Sequence, residues 1–155
     1  MERSEEEMRG LVRASIQFLA SLVGASGVAF AAYASHGTAD QALAVPAAGI
    51  LLAHAPVLLA LSIMADRSPG PIGSIAFMMT IGLVLFSSDL AARIWLGDRL
   101  FEGAAPVGGG AIILAWLILA VEAIFSAATA RQDRTMGERR SETKHQGKKR
   151  VARFQ

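Results

Sequence analysis

The sequence contains no cysteine and few charged residues, and both shortages exclude classes of function. Without cysteine, the 155-residue chain has no disulfides, catalytic thiol, thiolate-bound zinc, iron–sulfur cluster or covalently attached haem. Its 15 basic and 13 acidic residues are concentrated at the ends, with seven in residues 1–13 and twelve in residues 131–155. The nine that remain for residues 14–130 cannot give a soluble domain a polar surface. We therefore expect a membrane protein.

Long apolar stretches separate these few charges. Apolar residues make up 53% of the chain, and the mean hydropathy is +0.43. Four stretches without Asp, Glu, Lys or Arg are each close to or longer than the roughly 20 residues that a membrane-spanning helix needs. They run apolar throughout, whereas the strands of a membrane barrel alternate. We predict four transmembrane helices, over about residues 15–33, 43–64, 72–95 and 106–128.

The predicted fold is all-α, an integral membrane four-helix bundle with up-down-up-down connections. Residues 1–13 form a polar lead-in, residues 14–130 the transmembrane domain, and residues 131–155 a basic, disordered tail. Ser68-Pro69-Gly70-Pro71 predicts a tight turn between helices two and three. Pro46 and Pro106 fit the first turns of helices two and four, where no internal hydrogen bond is lost.

Basic residues predict the orientation. Four spans put both termini and the second loop on one side, which carries thirteen Lys and Arg residues against two, Arg93 and Arg99, on the other. The positive-inside rule then places both termini in the cytoplasm, as in a multi-pass protein of the bacterial inner membrane. In the rival interpretation, Ala32-Tyr33-Ala34 is a signal-peptidase site and three spans remain. The acidic start and the length of the first apolar run disfavour that interpretation.

The basic tail has nine basic and three acidic residues. Attraction to anionic lipid headgroups is one hypothesis for it. A solvated tail that only fixes the topology is the interpretation we favour. No aromatic residues are interleaved with the charges, so we expect no nucleic-acid partner.

Polar side chains inside the spans are the candidates for a binding site, because a charge at the bilayer centre costs at least about 2.5 kcal/mol. His54 lies near the middle of helix two, two residues before Pro56. It could relay protons, contact a ligand or bind a metal or haem, or it could be a neutral histidine bonded to a neighbouring helix. Asp89 and Arg93 have the spacing of an ion pair. The candidate binding residues are His36, His54, Ser87, Asp89, Arg93 and Glu122.

These candidates would form a polar pocket in the outer half of the bundle if His36, His54 and Asp89 faced one another, with Ser87 and Ser88 beside them. The sequence leaves that arrangement open.

Small residues predict where helices touch, and the indole N–H of Trp116, in the middle of its span, needs a partner inside the bundle. The predicted packing residues are Gly27, Ala31, Gly108, Gly109 and Trp116.

The chain resembles the YgdD-like small membrane proteins, domain-of-unknown-function family 423, over about residues 20–125. In that family a first helix ends in G-A-H-G, a second carries a histidine before small residues, a third contains L-F-S-G-S, and T-P-x-G-G leads into a fourth with G-W. The matching segments here are Ala34-Ser35-His36-Gly37, Ala53-His54-Ala55, residues 85–90, residues 105–109 and Ala115-Trp116. Ser88, Asp89, Ala105 and Ala115 depart from the pattern. The resemblance implies a four-helix inner-membrane protein and supplies no activity.

Three functional hypotheses follow. The first, which we favour, is a structural or accessory protein that packs with itself or with a larger membrane complex and has no catalytic residues, metal or cofactor. The second is a bundle that binds or translocates a small ligand, lipid, quinone or proton through the region of His36, His54 and Asp89. The third is an enzyme or a haem protein, which the different predicted depths of the two histidines disfavour.

Overall fold

The computed structural model describes residues 2–36, 41–66 and 69–151, and only the backbone of residues 2, 69, 130, 133–135 and 137–151. It confirms the all-α prediction, because the described residues form four helices and no strand. Each helix contains a segment long and apolar enough to cross a membrane. The helices are α1 Glu2–Ser35, α2 Gln41–Met64, α3 Pro69–Trp95 and α4 Ala104–Val151.

The chain forms two compact units, residues 1–117 and 118–155. The first unit contains α1, α2, α3 and the beginning of α4, and the second contains the rest of α4. All helix–helix contacts described below lie within the first unit.

The helices extend beyond the predicted spans at several ends. α1 already begins at Glu2, and α4 continues to Val151 through residues predicted to be a disordered tail. Arg, Lys, Glu, Gln and Met all favour a helix, so the polar composition of this segment is compatible with one. The division into a lead-in, a transmembrane domain and a disordered tail stays a prediction.

Two proline predictions also need correction. α2 begins at Gln41, so Pro46 lies inside the helix. A proline there removes one internal hydrogen bond, whereas a proline in the first turn would remove none. Pro69 and Pro71 belong to the first turn of α3, and Ala65 and Asp66 form a turn directly after α2. Arg67 and Ser68 lie outside the described residues. Pro106 is in the first turn of α4, as predicted.

α1 and α2 pack closely because glycine lies at their contact. Gly27 has no side chain, and a β-carbon added there would lie 2.8 Å from Cγ of Leu52. The same contact continues at Gly24, where an added β-carbon would be 3.4 Å from Cβ of Ala55. Gly27, which was predicted as a packing residue, lies at this contact.

Polar contacts hold the two ends of the α1–α2 contact. At one end Gln41 donates a side-chain hydrogen bond of 2.9 Å to the carbonyl of Ala34, one of the last carbonyls of α1. At the other, the guanidinium of Arg13 lies 3.4 Å from the carboxylate of Asp66. Both members of this ion pair are about half exposed, so it contributes little to stability.

α3 and α4 approach each other through a pair of glycines. A β-carbon added at Gly108 would lie 2.6 Å from the backbone nitrogen of Phe86 and 2.8 Å from the carbonyl oxygen of Gly82. One added at Gly82 would lie 2.8 Å from the carbonyl oxygen of Gly108. The backbones of the two helices are thus in direct contact, which dispersion forces favour in a membrane. Gly108 was predicted as a packing residue, and Gly82 was missed.

Replacing Gly108 by Ala should destabilise the protein. The added methyl group collides with the backbone of α3, which costs about 1–3 kcal/mol when a well-packed contact is overfilled. Gly110→Ala is the matched control, because nothing lies within 4 Å of a β-carbon at Gly110. Thermal unfolding in detergent measures both variants. We expect a lower Tm for Gly108→Ala and an unchanged or higher Tm for the control, and equal Tm values would contradict the contact.

Candidate functional site

His54 joins α2 to α4 through a hydrogen bond with Trp116. The Trp116 indole nitrogen lies 3.2 Å from Nε2 of His54, and the Nδ1 atom of His54 lies 2.7 Å from the carbonyl oxygen of Ile50. The two rings meet edge to face, with their centroids 6.2 Å apart. The Trp116 indole, which was predicted to need a partner, donates its hydrogen bond to His54.

These two bonds define the state of the imidazole. A carbonyl only accepts hydrogen bonds, so Nδ1 must carry the proton that it shares with Ile50. An indole N–H only donates, so Nε2 must be the unprotonated acceptor. The geometry therefore assigns a neutral His54 with both nitrogens in use. A second proton, on Nε2, would turn the bond to Trp116 into a contact between two donors.

Asp89 is completely buried and joins α3 to the loop that follows it. Its Oδ1 atom accepts a hydrogen bond of 3.0 Å from the backbone N–H of Leu100, and its Oδ2 atom accepts one from the guanidinium of Arg93. The predicted ion pair of Asp89 and Arg93 is present. The bond to Leu100 was missed, since the two residues are eleven positions apart and only the loop brings them together.

Two glycines shape this loop. Gly97 has φ +74° just after the end of α3, and Gly103 has φ +90° just before α4. Both values lie in the left-handed region that side chains disfavour. Gly97 is at the usual position of a glycine that ends a helix. The reversal allows Leu100 to return to the carboxylate of Asp89.

A cavity of about 520 Å³ lies between α1 and α3. Ser26 and Phe30 line it from α1, and Ser87, Ser88 and Trp95 from α3. The Ser87 hydroxyl donates to the carbonyl of Leu83 at 2.6 Å. The rings of Phe30 and Trp95 are in contact, with centroids 5.7 Å apart. No charged residue lines this cavity.

The structure does not bring the predicted pocket residues together in this cavity. His54 bonds to α4, Asp89 bonds to Arg93 and the loop, and Ser87 alone of the six candidates lines the cavity. His36 is exposed at the end of α1, and no side-chain bond is formed by it among the described residues. Glu122 lies in the second unit and is partly exposed. Within the described ranges, no three His, Asp or Glu side chains are grouped as metal ligands.

The other packing candidates vary in how closely they are surrounded. Ala31 is only partly buried. Gly109 makes an ordinary contact, since a β-carbon there would lie 3.9 Å from the Phe86 ring. Of Gly108 and Gly109, Gly108 is therefore the one that the close contact between α3 and α4 requires.

Comparison with known protein families matches residues 29–109 to DUF423, a protein family of unknown function. This match covers just over half of the chain. The protein belongs to the DUF423 family. The matched segment includes His36, His54 and the Asp89–Arg93 pair, whereas Trp116 lies beyond it. No solved structure and no curated protein matches the chain.

In this DUF423 protein, replacing either partner of the His54–Trp116 bond should destabilise the bundle, and replacing both should cost less than the sum. Hydrogen bonds between transmembrane helices contribute about 0.6 kcal/mol on average and up to about 1.7 kcal/mol. Thermal unfolding of His54→Leu, Trp116→Phe and the double variant measures this coupling.

Trp95→Phe provides the control for this cycle, because the described contacts of Trp95 are with Phe30 and Tyr33. Its effect should add to that of His54→Leu. If the effects of His54→Leu and Trp116→Phe also add, the two side chains do not interact.

Proposed function

We propose that this DUF423 protein is a non-catalytic accessory component of the bacterial inner membrane, packing with itself or with a larger membrane complex. The observation that carries the proposal is the bonding of two ionisable groups within the spans, His54 and Asp89. Both nitrogens of His54 and both oxygens of Asp89 are engaged in bonds within the chain. A general acid, general base or proton relay needs a free atom that can reach its substrate or the next group.

The outer surface of the helices supports a packing role. On the α4 part of the first unit, Ile113 and Leu117 are exposed, and on α1 Phe18 is 65% exposed. In a membrane these side chains meet lipid or another helix. These three side chains carry no reacting group, so what they offer is contact area.

We further propose an up-down-up-down bundle with both termini in the cytoplasm. Contacts of Arg13 with Asp66 and of Gln41 with Ala34 join the start of α1 to the end of α2, and the end of α1 to the start of α2. Gly108 likewise faces Phe86, near the opposite end of α3 from Pro69. The excess of Lys and Arg in the terminal segments supports the orientation. The basic tail then faces the cytoplasmic leaflet, whose anionic lipids it would attract.

Purification in a mild detergent, followed by mass spectrometry of the co-purifying proteins, tests the accessory role. We expect either a defined homo-oligomer or a partner in fixed stoichiometry, and the matched control is an unrelated four-span protein expressed at the same level. A monomer that repeatedly purifies with no partner would contradict the proposal.

Labelling of introduced cysteines tests the orientation, and the absence of native cysteine removes any background. Leu96→Cys lies in the loop after α3 and Met136→Cys in the terminal segment, both at exposed positions. In intact spheroplasts a membrane-impermeant maleimide should label the first variant, and it should reach the second only after permeabilisation. The reverse pattern would invert the proposed topology.

A further inference from the structure

Hydroxyl groups in the described helices follow a common rule. Each of seven Ser and Thr side chains donates a hydrogen bond to a carbonyl three or four residues earlier in its own helix. This back-bonding satisfies a hydroxyl where water is absent. The seven residues are Ser21, Ser35, Ser62, Ser74, Thr80, Ser87 and Thr129.

Ser26 and Ser88 break this rule, and both line the cavity between α1 and α3. Neither hydroxyl makes a hydrogen bond to any residue in the part of the chain that the structure describes. Two other described serines share this property, but neither lines the cavity, since Ser15 lies near the charged end of α1 and Ser126 in the second unit. Ser26 is exposed and Ser88 partly exposed, so both hydroxyls are accessible from the cavity. The cavity therefore has one free hydroxyl on the α1 wall and one on the α3 wall.

The rest of the cavity restricts what it can hold. Its other lining residues are apolar or aromatic, apart from Ser87, whose hydroxyl is already bonded. No side chain is present to neutralise a charged ligand, and an unpaired charge in hydrocarbon is costly. The volume of about 520 Å³ is in the range of small-molecule sites. A fitting ligand is neutral, mostly apolar and able to accept hydrogen bonds from hydroxyl groups.

We propose that this cavity binds a neutral, lipid-soluble molecule through a carbonyl oxygen that accepts hydrogen bonds from Ser26 and Ser88. A carbonyl oxygen has two lone pairs, so one such atom can satisfy both donors. Phe30 and Trp95 supply aromatic faces against the apolar body of the ligand. This carbonyl belongs either to the ester of a membrane glycerolipid or to the ring of a quinone. The site goes beyond the accessory role and does not depend on it.

Native mass spectrometry of the delipidated full-length protein tests the site with two probes, dioleoylglycerol and decylubiquinone. We expect a saturable one-to-one complex with at least one probe, and which probe binds distinguishes the two sources of the carbonyl. Ser26→Ala and Ser88→Ala should each weaken binding about two- to tenfold, the usual effect of losing one neutral hydrogen bond. Ser15→Ala, which removes a free hydroxyl outside the cavity, should leave the affinity unchanged.

Filling the cavity provides the decisive control. Ala91→Phe places a large side chain inside it, and Ala29→Leu fills it from the opposite wall if the first variant does not fold. Either folded variant, verified by its Tm, should lose the complex. The proposal is overturned if the folded native protein binds neither probe, or if the complexes persist unchanged in the filled cavity and in the serine variants. Because no partner protein is measured, failure here leaves the accessory role to its own test.

Discussion

The constraint on which the rest of this structure depends is the lack of hydrogen-bond partners in hydrocarbon. Every polar group in a membrane-spanning segment must find its partner within the protein or leave it unsatisfied at a cost of several kcal/mol. His54 and Trp116 bond to each other across two helices, and Asp89 bonds to a loop amide and to Arg93 at once. These bonds connect α2 to α4 and α3 to the loop that follows it.

Close backbone contact is the other consequence of this environment. Lipid is as apolar as leucine, so burying leucine against leucine gains little, and helices associate where their shapes match. Gly82 and Gly108 bring the backbones of α3 and α4 together, while Gly27 receives Leu52 of α2. The Trp116–His54 bond then joins α4 to α2 as well. The glycine contacts thus determine how closely the helices approach, and the polar bonds determine the register between them.

How much the sequence could predict depends on how local each feature is. The number of spans and the Asp89–Arg93 pair follow from residues within a few turns, and both were predicted. The partner of Trp116 is 62 residues away in the chain and depends on packing, so only the need for one could be predicted. The bond between Asp89 and Leu100 closes a loop that turns at Gly97, where φ is positive, and no periodicity reveals that turn. Gly82 lies in an apolar run where nothing distinguishes it before α4 is in place.

The cost of leaving a group unpaired differs between charged and neutral side chains. A buried charge without a partner is too unfavourable to persist, and Asp89 is bonded to both Arg93 and Leu100. A free hydroxyl costs only about 1–3 kcal/mol and can remain vacant. Ser26 and Ser88 are such groups, and they share one apolar cavity. In hydrocarbon, a site that must exist both empty and occupied is more readily built from neutral donors than from charges.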